Sequence, residues 1–331
     1  MSQQQKIAVI GGGSWATAIV KMLCENVDNL GWWMRNEEAI AHIQKYGHNP
    51  NYISSAELKK EKLNISSDLN AIVSEADCLV LAIPSAFLKE TLAQLHVDIK
   101  EKFIMSAIKG IVPENNTIIG DFFHNQYQIL YSNIGVVTGP CHAEEVALER
   151  LSYLTVACEE LEKAQWFAEQ ITCRYIKTNV SEDIFGTEIA AVLKNVIAIA
   201  SGICHSLGYG DNYQAVLASN AIREIKRFVD VAHPIHRDIK ESVYLGDLLV
   251  TVYSQFSRNR TFGNMIGKGY SVRSAQLEMN MVAEGYYAVK CIKEINEKYG
   301  VSMPITDAVY HILYEKISPV IEMRLLSDQL N

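Results

Sequence analysis

Lys6-Ile7-Ala8-Val9-Ile10-Gly11-Gly12-Gly13-Ser14-Trp15-Ala16 is the stretch whose reading decides the fold. Five residues of strand-forming character run into three glycines, and a helix-compatible segment follows as far as about Glu25. Gly11-x-Gly13-x-x-Ala16 between a strand and a helix is the spacing of a dinucleotide pyrophosphate cradle. Gly11 permits the tight turn, Gly13 lets the backbone approach the phosphates, and Ala16 is small enough for close helix–strand packing. The helix start adds amide donors and a favourable dipole for an anion. The competing reading is a glycine-rich turn without a ligand.

Working outward, further short apolar runs recur at Trp32–Met34, Cys78–Ile83, Phe103–Ala107, Ile134–Thr138 and Leu154–Ala157. Helical patterns fall between most of them, as at Ala86–Leu95 and Leu161–Gln170. This alternation predicts an α/β fold with a Rossmann-type, doubly wound parallel sheet covered by helices on both faces. Beyond about Asn179 the strand-like runs give way to helical patterns, with Ser181–Gly186 as a polar connector. The expected division is a dinucleotide-binding domain over residues 1–180 and a mostly α-helical domain over residues 181–331.

Composition bounds the function. The chain has 331 residues and a net charge of −8, which argues against a broad nucleic-acid footprint but leaves room for a local basic pocket. Seven cysteines without paired spacing suit free thiols in a reducing compartment, and no metal-ligand spacing appears. The N-terminal Met1-Ser2-Gln3-Gln4-Gln5 lacks the apolar core of a signal peptide. The longest apolar stretch, Ile189–Ile203, is interrupted by Lys194 and Asn195, so an integral membrane span is not expected. A soluble cytoplasmic protein is the expectation.

Several polar residues stand out against this background. Lys194 and Asn195 lie in a helical run that is apolar on nearly all faces, the signature of a buried helix. A desolvated lysine tends toward the neutral amine, which is a competent general base; the alternative is a lysine snorkelling to the surface. Asp247 and Thr251, four residues apart, share a helical face, and Asp247 could pair with Lys194 or simply open its helix. Ser257-Arg258-Asn259-Arg260 offers hydroxyl, guanidinium and amide donors suited to a phosphate, or is a solvated loop. Lys109-Gly110, Ile83-Pro84-Ser85 and Thr138-Gly139-Pro140-Cys141-His142-Ala143 each end a strand where such sheets bind ligands. Gly139 would admit a close backbone approach there. Arg35, after the second strand, replaces the usual acidic ribose ligand; it can stack on adenine or meet a 2′-phosphate, so NAD and NADP both stay open. Glu284-Gly285 offers a carboxylate for a ribose hydroxyl or for a helix start.

Taken in order, these segments resemble the NAD(P)-dependent sn-glycerol-3-phosphate dehydrogenases over nearly the whole chain. The resemblance rests on Gly11–Ala18, Ile83–Ser85, Lys109-Gly110, Gly139-Pro140, Lys194–Ala198, Gly208-x-Gly210-Asp211-Asn212, Gly246-Asp247-Leu248, Ser257–Asn259 and Glu284-Gly285. It implies hydride transfer, with NAD or NADP, between dihydroxyacetone phosphate and glycerol 3-phosphate for phospholipid synthesis, in a homodimer. By that resemblance Lys194 is the proton acceptor, with Asp247 and Lys109 in the catalytic group. Lys109, Gly139, Cys141, Lys194, Asn195, Asp247, Thr251, Ser257, Arg258 and Asn259 are expected at the substrate. Gly11, Gly13, Ser14, Trp15, Arg35, Lys109, Ala143, Arg258, Val282 and Glu284 are expected at the cofactor, and no metal is expected. The chain departs from the family pattern at Ala16, at Cys141 (usually Ser), at Ser219-Asn220 (usually Thr-Arg) and at Val243-Tyr244-Leu245, whose bulk is expected to crowd the approach to Gly246. A hydroxy-acid dehydrogenase of similar two-domain shape, or a dinucleotide sensor without turnover, is the alternative.

Overall fold

The structure is a computed structural model that describes residues 5–279 and 283–331. The described residues form two compact units. One runs to Ile108 and resumes over Ile119–Ile184; the other comprises Lys109–Ile118 and Phe185–Asn331.

The first unit holds eight strands: β1 (Ile7–Ile10), β2 (Leu30–Trp33), β3 (Leu63–Ser66), β4 (Cys78–Leu81), β5 (Phe103–Ser106), β6 (Ile134–Thr138), β7 (Ser152–Cys158) and β8 (Ile176–Ser181). Its helices are α1 (Ser14–Leu23), α2 (Glu37–Tyr46), α3 (Leu69–Glu75), α4 (Leu88–Leu92), α5 (Ile119–Tyr127), α6 (Ala143–Ala147) and α7 (Leu161–Ile171). The strands form one sheet in the order β3-β2-β1-β4-β5-β6-β7-β8. β1, β4, β5 and β6 are buried along their whole length, as strands covered on both faces must be. Between β1 and β4, paired from Ile7 opposite Cys78 to Ile10 opposite Leu81, the strand order switches direction. That places Gly11 and Ala82 side by side at the carboxyl edge, where open α/β sheets take their ligands.

The sheet is parallel through β6 but not beyond it: β7 runs antiparallel to β6, and β8 is parallel to β7. An all-parallel continuation fails because α6 has only five residues. At 1.5 Å per residue it is too short to carry the chain back along the sheet, so the strand re-enters from the same end. Two strands eluded the sequence reading. β3 alternates apolar and polar residues at a sheet edge, and β8 buries chiefly Ile176 while Lys177, Asn179 and Val180 face solvent.

The second unit is helical: α8 (Ile184–Ser206), α9 (Asp211–Ala232), α10 (Asp247–Tyr253), α11 (Arg258–Gly267), α12 (Val272–Glu278), α13 (Glu284–Tyr299), α14 (Pro304–Leu313) and α15 (Pro319–Ser327). Helix α8 is long and apolar enough to cross a bilayer, yet 94 % of its most apolar stretch is buried within the protein. It is the axis of the core, ringed by Leu217, Phe228, Leu248, Phe262, Val289, Ile292 and Val309. Ile111 and Ile118 belong to this core, which is why Lys109–Ile118 packs here despite its place early in the chain. Close approach along α8 depends on missing side chains. A Cβ on Gly202 would overlap the Arg260 carbonyl, and a Cβ on Gly263 would overlap that of Ile199. Val243 and Tyr244 are buried in this core, in a π-helical turn (Ser242–Gly246) that leads into α10, and Leu245 is half-buried.

Candidate active site

The glycine loop of the first unit is held from behind. Gly11 has φ +135°, a conformation open to glycine, and a Cβ there would overlap the Ala82 carbonyl. Each of the three glycine carbonyls has a named donor. The Trp32 indole donates to Gly11 O at 2.6 Å, the Asn49 amide to Gly12 O at 3.2 Å, and the Thr17 hydroxyl to Gly13 O at 2.9 Å. Gly13 is the N-cap of α1, with no side-chain cap bond, and a Cβ built on it meets nothing within 4 Å. Trp15 anchors the other side of the loop by donating its indole N–H to Ala107 O at 3.0 Å. Glycine carbonyls turned inward, open space at Gly13 and a ten-residue helix start form a cradle that fits a pyrophosphate.

Arg35 lies just past β2 and is exposed. The neighbouring Asn36 side chain is committed to capping α2, accepting from Ala39 N at 2.9 Å. Ala143, the first residue of α6, and Cys141 are both buried in the core of this unit, so the Cys141 side chain packs apolar neighbours. Gly139 also has a reason inside the fold: φ is +135° and a Cβ would come within 2.8 Å of the Tyr153 carbonyl on β7. Its backbone approaches a strand closely; that contact alone explains the glycine. Val282 lies outside the described residues.

Lys194, Asn195, Asp247, Thr251, Ser257 and Asn259 are among the buried polar residues of the second unit. Lys194 Nζ donates to Asp247 Oδ1 at 2.6 Å and to Thr251 Oγ1 at 3.0 Å. The Thr251 hydroxyl in turn donates to Asp247 O at 2.6 Å, so only its lone pairs face the lysine. The other Asp247 oxygen lies 3.6 Å from Lys109 Nζ. One carboxylate cannot balance two ammonium groups out of water, and the more deeply buried amine gives way. Burial pulls the Lys194 pKa from its usual 10.5 down to about 7; Asp247 opposes this and Lys109 adds to it. A neutral Lys194 donates its two N–H bonds to Asp247 and Thr251, its lone pair is the basic site, and the neighbouring Lys109 also bonds this amine and disfavours its charged form.

Asn195 ties this centre to its neighbours. Its amide donates to Lys109 O at 2.9 Å, fixing the segment that carries Lys109. A Cβ on Gly285 would come within 2.6 Å of Asn195 O, so α13 begins directly against α8. Gly285 N–H donates to Asn259 Oδ1 at 2.9 Å. That bond fixes the Asn259 amide: its oxygen is spent inward, leaving the NH₂ as a donor. Ser257 caps α11 by accepting from Arg260 N at 3.3 Å, while Arg258 at the first helical position is partly exposed. Gly285 therefore brings the lysine centre and the Ser257-Arg258-Asn259 stretch together, with Glu284 as the first residue of α13. Sequence reading does not anticipate Trp32, Asn49 or Gly285 as organisers of these centres, because each acts through a contact with a distant backbone group.

The other departures find places. Asn220 on α9 hydrogen-bonds Asn331, donating to its carbonyl at 2.8 Å, and Arg223 reaches the Asn331 side chain. All seven cysteines are free thiols. Among the described residues, no cluster of three or more His, Cys, Asp or Glu could hold a metal ion.

Residues 6–164 match the family described as NAD-dependent glycerol-3-phosphate dehydrogenase N-terminus, and residues 183–323 match its C-terminus. A glycerol-3-phosphate dehydrogenase [NAD(P)+] of Bacillus licheniformis is 34 % identical over 96 % of this chain and 93 % of its own length. One from Staphylococcus carnosus is 32 % identical over 97 % of each. The crystal structure of the Coxiella burnetii glycerol-3-phosphate dehydrogenase superposes with a TM-score of 0.89 at 25 % identity, covering 97 % of this chain and 98 % of that one. With both halves of the chain matched and relatives this similar along their full length, the chain belongs to the NAD(P)-dependent glycerol-3-phosphate dehydrogenase family.

Proposed function

We propose that the protein interconverts dihydroxyacetone phosphate and sn-glycerol 3-phosphate with NAD or NADP, supplying glycerol 3-phosphate for phospholipid synthesis, and that Lys194 carries the proton. The observation that supports this most is the buried amine, drawn down to about 7 and donating to Asp247 and Thr251. A base with a pKa near the working pH serves both directions. In oxidation, Lys194 takes the proton of the carbon-2 hydroxyl as the carbonyl forms; in reduction, the ammonium returns it. The dinucleotide, when bound, supplies the hydride acceptor or donor.

Asp247 and Thr251 orient Lys194, and Lys109 keeps the local charge balanced. Arg258 with the Asn259 amide and Ser257 holds the phosphate, so binding energy from a non-reacting group helps position carbon 2. Gly139 and Cys141 are assigned to the substrate by family resemblance. Gly11, Gly13, Ser14 and Trp15 form the pyrophosphate cradle; Arg35, Ala143, Val282 and Glu284 complete the cofactor site by family resemblance. The same resemblance supports a cytoplasmic homodimer, and seven free thiols suit a reducing compartment.

The test is oxidation of NADH and NADPH by the purified protein with dihydroxyacetone phosphate, with unphosphorylated dihydroxyacetone and with a 2-oxo acid. Turnover confined to the phosphate ester supports the reading. Turnover with the 2-oxo acid alone, or dinucleotide binding without turnover, overturns it.

A further inference from the structure

We infer that Asn49 is a positioning residue for the dinucleotide loop, acting at the far side of the fingerprint from any ligand. This rests on reading Gly11–Trp15 as the cofactor cradle. Asn49 lies in the turn after α2, more than thirty residues beyond the glycines, and is 1 % exposed. Its polar atoms are all used. The amide nitrogen donates to Gly12 O at 3.2 Å and to Thr17 Oγ1 at 2.8 Å, and Oδ1 accepts from Asn51 N at 3.0 Å. Thr17 passes the bond on, its hydroxyl donating to Gly13 O at 2.9 Å. One side chain thus holds the Gly12 carbonyl directly and, through the Thr17 hydroxyl, adds to the hold on the Gly13 carbonyl, which also accepts Thr17 N at 2.9 Å.

The consequence for binding is geometric. A peptide's carbonyl and amide point in opposite directions, so holding the Gly12 and Gly13 carbonyls inward aims the amides of Gly13 and Ser14 outward, toward an anion at the start of α1. The glycine loop cannot hold that arrangement by itself, because glycine backbone has the widest conformational freedom. Asn49 lowers the cost of ordering the loop at the moment of binding, which appears as cofactor affinity. It touches no reacting atom, so the chemical step should be indifferent to it.

The experiment measures the dissociation constants of NADH and NADPH by fluorescence titration of wild-type protein, Asn49→Ala and Thr17→Val, with thermal melts and steady-state kinetics alongside. Losing both donated bonds should weaken dinucleotide binding about tenfold or more in Asn49→Ala. Thr17→Val, which removes the acceptor of one Asn49 bond and the hydroxyl donor to Gly13 but keeps Asn49 on Gly12, should lose about threefold to tenfold. At saturating cofactor, kcat and the KM for dihydroxyacetone phosphate should stay within about twofold of wild type. A purely structural Asn49 would lower the melting temperature and leave the affinity of the folded protein unchanged; that result overturns the inference. If Asn49→Ala does not fold, Thr17→Val decides alone, and wild-type affinity in that variant overturns it equally. Wild-type protein that binds neither dinucleotide removes the cradle reading itself, whereas wild type that binds normally beside unaffected variants removes only the role of Asn49.

Discussion

Lys194, the proposed proton carrier, is a buried amine. The group is charged below about pH 7 and neutral above it, so oxidation of glycerol 3-phosphate should rise with pH to a plateau above about 7. Reduction of dihydroxyacetone phosphate, which needs the ammonium, should fall across the same range; flat profiles from pH 6 to 8 would remove Lys194 from the proton step. The stability linkage has a definite sign. The unfolded chain holds this proton up to about 10.5 and the folded one only to about 7, so the group adds stability as pH rises between those values and adds none below them. Lys194→Ala should cut kcat about a hundredfold to ten-thousandfold while dinucleotide affinity stays near wild type; a folded variant with ordinary turnover contradicts the assignment. Arg258→Ala should instead raise the KM for dihydroxyacetone phosphate about tenfold to a hundredfold and leave unphosphorylated dihydroxyacetone unaffected. Equal effects on both substrates would take Arg258 out of the phosphate clamp.

Between elements, glycines set how closely helices and loops approach. Gly263 lets α11 lie against the backbone of α8, and Gly285 lets α13 begin against Asn195. Because α8 carries Lys194 and α11 carries Arg258, their separation enters the geometry of the proposed site. Gly263→Ala forces a Cβ into the Ile199 carbonyl and should destabilise the protein by about 1–3 kcal/mol, seen as a lower melting temperature with a raised KM for dihydroxyacetone phosphate. An unchanged melt would mean that α11 shifts freely and that the crossing does not constrain the clamp. These contacts were invisible along the chain. Gly263 and Gly285 read as ordinary helix residues until the facing carbonyl is known, and β3 and β8 were missed because edge strands bury only part of their residues. Strand β7 was recognised but not its direction, which depends on how far the short α6 can carry the chain.

For the whole molecule, the order of motifs along 331 residues identifies the family, whereas the fold explains why residues so far apart in sequence act together. Light scattering on the purified protein should give a mass near twice the chain's 37.1 kDa if the homodimer holds; a monomer active at assay concentration would sink that assignment. The sequence by itself determined the strand–glycine–helix start and the change from strand–helix alternation to helical patterning near residue 180, because these follow from local spacing and hydrophobic period; the cradle and the anion clamp are proposed on those residues. It also singled out Lys194, since a lysine amid apolar helical residues is anomalous wherever it occurs. What only the tertiary structure decided was the company that lysine keeps. Asp247 and Thr251 meet it from α10, and Lys109 comes from a segment that leaves its neighbours in sequence to join the helical core. The inward hold on the glycine carbonyls by Trp32 and Asn49 was likewise settled in three dimensions. The physical reason is the same in each case: burial and hydrogen-bond partners are properties of packing, and packing joins positions whose distance along the chain carries no signal.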